Sequence, residues 1–105
     1  MKERLNDLYE YLKEKKYKDI AIFDLSKEEQ TFDYGIILST PSVAYNKRLA
    51  CALMEDFGIE KYPEGFNKGE WIVFDFDKIV IHSFIPQARE KYNLDKLWQS
   101  KKMIF

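Results

Sequence analysis

The sequence predicts a single α/β (α+β) domain over residues 1–105, ordered α-β-β-α-β-β-α, with a mixed sheet flanked by helices. Three observations carry this. Two stretches repeat apolar residues at helical spacing, Leu5, Leu8, Tyr9, Leu12 and later Leu49, Ala50, Leu53, Phe57. Two short apolar runs meet at Asp77-Lys78 and alternate like the arms of a hairpin. Proline and glycine punctuate the rest at Pro41, Gly58 and Pro86.

The first helix spans residues 2–16, where the apolar stripe lies between charged positions. Asp19-Ile20-Ala21-Ile22-Phe23-Asp24-Leu25 is an apolar run of strand length. A polar turn at residues 26–30 leads to a second strand at 34–38. Thr40 is placed to cap the next helix, with Pro41 at its first position. Val43, Leu49, Ala50, Leu53, Met54 and Phe57 form its buried stripe, and Gly58 ends it in a left-handed conformation. A loop at 63–69 precedes strands at 70–76 and 78–85, and Pro86 opens a last helical stretch running to Trp98.

A two-residue turn at Asp77-Lys78 fixes the hairpin register. Phe76 then opposes Ile79, Phe74 opposes Ile81 and Ile72 opposes Ser83, all on one apolar face that must be core. The other face sets Trp71 opposite Phe84, Val73 opposite His82 and Asp75 opposite Val80. Asp75 and His82 become diagonal neighbours. Large aromatics among polar groups suit a protein-binding surface. The same face could equally be the seat of a covering helix, with Trp71 in the core.

Charge narrows the function classes. Lysine plus arginine is 17, aspartate plus glutamate 18, and the formal net charge is -1. A phosphate-gripping protein normally shows a basic excess. Here the bases lean to the ends, at Lys13, Lys15, Lys16, Lys18, Lys101 and Lys102, while acids gather over residues 19–33. This favours a basic protein partner over bare RNA and gives no basis for sequence-specific nucleic acid binding. The single cysteine, Cys51, forms no intrachain disulfide. No apolar run approaches the roughly 20 residues a bilayer span needs. The charged start is unlike a signal peptide, so a cytoplasmic location is expected.

From Asp19 onward the residues resemble a known family. Asp19-Ile20 with Asp24, then Thr31 to Leu38, are similar to its first two strands. Glu64-Gly65, Gly69, Trp71, Asp75, His82 and Phe84 resemble its central signature, and Arg89-Glu90, Tyr92-Asn93-Leu94 and Leu97-Trp98 its closing one. The ordered set, kept over roughly residues 5–98, resembles the ribosomal silencing factors, also called Iojap-like proteins. The resemblance implies a nucleotidyltransferase-like fold without catalysis or cofactor. It implies binding to ribosomal protein fourteen of the large subunit, hindrance of subunit joining, and a tendency to self-associate as a homodimer. The candidate partner-binding residues are Trp71, Asp75, His82, Phe84, Arg89, Tyr92 and Trp98. The chain departs from the family pattern at Tyr45-Asn46, where a His-Val pair is frequent, at Asp77, where glycine is usual, and at Asp95, where glutamate is usual.

The rival class is a nucleotidyltransferase-like enzyme, holding a metal on Asp75 and Asp77 for phosphoryl transfer. It lacks a phosphate-cradling glycine, since none lies between Gly35 and Gly58, and Asp77 belongs to the turn. Cys51 falls off the apolar stripe with no reason to meet His82, so a thiol–imidazole pair is not expected. One histidine and one cysteine fall short of a zinc site. His82 reads as a hydrogen-bonded surface-shaping residue before it reads as a pH sensor. Leu94, Leu97 and Trp98 repeat at helical spacing and read as packing, leaving Arg89 as a contact through a bidentate bond.

Overall fold

The computed structural model describes residues 2–27 and 31–103. The elements are α1 (Lys2–Glu14), β1 (Lys18–Asp24), β2 (Tyr34–Ser39), α2 (Val43–Phe57), β3 (Trp71–Phe76), β4 (Ile79–Phe84), α3 (Pro86–Tyr92), α4 (Leu94–Leu97) and β5 (Lys102–Met103), with a 3-10 turn at Gln99–Lys101. The expected seven elements are all present, and residues 28–30 of the expected turn lie outside the described residues. The sheet is mixed, in the order β3-β4-β2-β1-β5. Among the described residues only the central β2–β4 pair is parallel. Long crossovers are what parallel pairing requires, and α2 with β3 supplies this one.

Alternation sends each strand's apolar residues to two faces. Ile22, Ile36, Leu38, Ile72, Phe74, Ile79 and Ile81 meet Leu5, Leu8 and Leu12 of α1 and Leu49, Ala50 and Leu53 of α2 in the main core. Each fully buried aliphatic side chain contributes about 1.5–3 kcal/mol. The second face holds Ala21, Phe23, Ile37, Val80 and Phe84, covered in part by Ala88, Leu94 and Trp98. The hairpin register is as the two-residue turn requires, Phe76 with Ile79 through Trp71 with Phe84. Asp77 takes φ 57 there, which aspartate tolerates better than most residues.

Besides small shifts at element ends, such as α1 stopping at Glu14 and not at residue 16, two expectations fail. The cap of α2 is Ser42, whose hydroxyl accepts from Tyr45 N, and not Thr40. Thr40 is buried, and its N–H donates to Phe84 O at 2.8 Å, so strand pairing claims it before the helix can. The last helical stretch is not continuous to Trp98. Asn93 takes φ 46 and its N–H closes α3 onto Arg89 O, as a left-handed cap does. The chain restarts as α4, and β5 then pairs with β1 at the sheet edge. The kink also overturns one packing assignment: Leu94 and Trp98 face the sheet, while Leu97 is 70% exposed.

Candidate partner-binding surface

A line of rings crosses the second face of the sheet. Trp71 of β3 stacks on Phe84 of β4 at 4.9 Å and meets Tyr92 of α3 at 4.7 Å. His82 lies edge-on to Trp98 at 5.5 Å, and Trp98 reaches Phe23 of β1 at 5.5 Å. Such pairs contribute about 0.5–1.5 kcal/mol beyond their burial. Gly35 makes room for the line. A Cβ there would sit 2.7 Å from Trp98 Cζ3, so Trp98 can lie against β2 only where a side chain is missing.

The structure thus brings Trp71, His82, Phe84, Tyr92 and Trp98 together, but they are not equally placed for a partner. Tyr92 is 51% exposed, while Trp71, His82 and Trp98 are half-buried. Phe84 is fully buried, so it carries the stack from beneath and offers no contact of its own. The covering helix weighed for the hairpin's mixed face is therefore present over part of it. A helix pair covers the Phe84 end, and Val73, Asp75 and His82 at the other end are half-buried.

The polar groups have settled roles. The Trp71 indole N–H donates to His82 Nδ1 at 3.0 Å. Burial pushes the imidazole pKa down to about 4, with the Asp75 charge pulling weakly the other way. A neutral ring with Nδ1 as acceptor carries its proton on Nε2. Asp75 pairs with Lys61 at 3.0 Å and affects His82 only through its charge. Lys61, Tyr62, Pro63 and Glu64 wall a notch of about 40 Å³ over Val73 and Asp75.

Arg89 is not a free contact. Its guanidinium grips Asp95 through Nε–Oδ1 at 3.1 Å and Nη2–Oδ2 at 2.8 Å, and Nη1 donates to Ser39 Oγ at 2.9 Å and to the Asp19 carbonyl. The bidentate bond expected for Arg89 is made, but within the chain. Hydrogen bonding from Arg89 holds the Asp95 carboxyl below its ordinary value. Asp19 reaches the guanidinium because β1 bulges between Lys18 and Ala21, with Asp19 at φ 53.

The carboxylates proposed for a metal diverge. Asp75 turns to Lys61 on the second face, whereas Asp77 in the turn pairs with Arg4 of α1 at 3.7 Å. No group of three or more His, Cys, Asp or Glu among the described residues could hold a metal ion. Cys51 is exposed on α2, which packs on the face opposite His82.

One important residue escaped sequence reasoning. Asn46 is fully buried, donates to Gly69 O at 2.9 Å and Ser83 O at 3.0 Å, and accepts from the Ser83 hydroxyl. It ties α2 to the hairpin that bears Trp71 and His82. The signal was its place on the apolar stripe, three residues before Leu49 and three after Val43.

Comparison with known proteins decides the family. The family model described as "Ribosomal silencing factor during starvation" matches residues 1–104. The chain belongs to this family. Two ribosomal silencing factors resemble it along most of their length. That of Haemophilus influenzae is 34% identical over 95 residues, covering 87% of this chain and 93% of that protein. That of Treponema pallidum is 31% identical over 86 residues, covering 78% of each. A mouse protein named "Mitochondrial assembly of ribosomal large subunit protein 1" is 29% identical over 98 residues, 87% of this chain but 43% of its own. A solved structure from Chromobacterium violaceum superposes with TM-score 0.76 at 31% identity, covering 92% of this chain and 84% of that one. The family's name and those of these relatives describe a ribosome-associated regulatory factor. Among the described residues no helix is long and apolar enough to cross a membrane.

Proposed function

We propose that this protein represses translation in the cytoplasm by binding the large ribosomal subunit at ribosomal protein fourteen, which keeps the small subunit from joining. The observation that carries this reading is the ring line itself. Trp71 and Tyr92 pack ring against ring yet retain open surface, as interface anchors do. The family name supports the ribosome as target, and the mouse relative's name points to the large subunit for that protein. A net charge of -1 fits a basic ribosomal protein better than an RNA groove.

Co-sedimentation with separated subunits tests this. The protein should pellet with large subunits and not with small ones, and added protein should reduce the yield of complete ribosomes. Equal pelleting with both subunits, or with neither, defeats the proposal.

A further inference from the structure

Resting on the proposed ribosomal reading, a second observation on the same surface specifies what the partner must present. His82 is the polar group set among the rings, and its two nitrogens are used differently. Nδ1 is occupied by the Trp71 indole N–H at 3.0 Å. Nε2 has no hydrogen-bond partner among the described residues. Yet no buried side-chain nitrogen or oxygen among them is left without a partner, so Nε2 is not sealed from solvent. Burial keeps the ring neutral at physiological pH, and Trp71 fixes the tautomer that places hydrogen on Nε2.

We infer that His82 recognises the partner by donating a hydrogen bond from Nε2 to an uncharged carbonyl oxygen, seated between the rings of Trp71 and Trp98. A cationic group there would find no acceptor on His82, whose free nitrogen carries hydrogen. A carboxylate would enter the field of Asp75. A carbonyl fits both conditions. Once a partner covers the rings and expels water, an N–H left unmatched loses its hydration without replacement, which penalises any surface lacking the acceptor. The rings would thus supply attraction and His82 the orientation.

Two near-isosteric variants separate this role from mere packing. In His82→Asn the amide oxygen can still accept from Trp71, but nothing reaches the Nε2 position. In His82→Gln an amide N–H reaches that position. Their affinity for isolated large ribosomal subunits is measured beside the wild type, with the melting temperature of each. The expected result is roughly tenfold weaker binding for His82→Asn and near wild-type binding for His82→Gln. Equal affinities for the two variants, both folded, overturn the inference while leaving the ribosomal reading standing. Wild-type protein that does not bind large subunits at all overturns both. If His82→Asn melts far below the other two, His82→Phe takes its place. That variant keeps the ring but lacks the donor, and wild-type affinity for it would also refute the role.

Discussion

Phe74 and Tyr92 contrast a buried with an exposed aromatic residue of this molecule. Phe74 lies in the main core with 1% of its surface exposed, and Phe74→Ala should cost about 3–5 kcal/mol of stability, read by denaturant unfolding. Tyr92 is 51% exposed, so Tyr92→Ala should leave stability within about 1 kcal/mol while weakening large-subunit binding roughly tenfold. Trp71 lies between them, and Trp71→Ala should lower both quantities. Should Tyr92→Ala bind as well as wild type, the partner contact lies elsewhere. His82 adds a pH effect. The unfolded ring titrates near 6.5 and the folded ring at about 4. Between these values the unfolded chain holds the extra proton, so stability falls as pH drops through the window, by about 3 kcal/mol in all. Unfolding free energies at pH 7 and pH 4.5 should differ less in His82→Gln than in wild type. An unchanged difference would mean that the ring is not desolvated as the structure has it.

Elements were legible where a repeating pattern sets them and illegible where one residue's backbone does. The β3–β4 hairpin followed from alternation and a two-residue turn, because a slip of one residue would expose Ile72, Phe74, Ile79 and Ile81. The break between α3 and α4 did not follow. Leu94, Leu97 and Trp98 keep helical spacing across it, and only the left-handed Asn93 and the Arg89–Asp95 grip reveal the kink. The ring residues of the site could be named, but not the reversal of roles by which Arg89 fastens the helices inside the chain. Removing that fastening is informative. Arg89→Ala should destabilise by about 2–3 kcal/mol and alter the fluorescence of Trp98, since α4 loses its tie to Ser39 and Asp19. Arg89→Lys should recover little, because an ammonium cannot grip both Asp95 oxygens in parallel. Full recovery by lysine would argue that charge alone holds α4.

For the whole molecule, one face of the sheet is sealed by α1 and α2 and the other is half open. That asymmetry leaves the second face the broader uncovered one among the described residues, and if a partner docks there the balance of 17 basic and 18 acidic residues sets how salt should act on it. A protein held by six to ten phosphates loses roughly 10³-fold or more in affinity between 50 and 200 mM salt. Large-subunit binding here should weaken by less than about tenfold over that range. A steep loss would point to an RNA contact instead.

The central parallel pair has a kinetic consequence. Tyr34–Ser39 joins Ile79–Phe84 across nearly half the chain, whereas the pairs on either side of it close locally. Local hairpins form early, and this seam must wait until the intervening chain is in place, so its closure should limit the folding rate. Trp98 spans the same seam, touching Gly35 on one strand and His82 on the other. A partner seated on these rings would clasp both halves, and the bound protein should open more slowly than the free one.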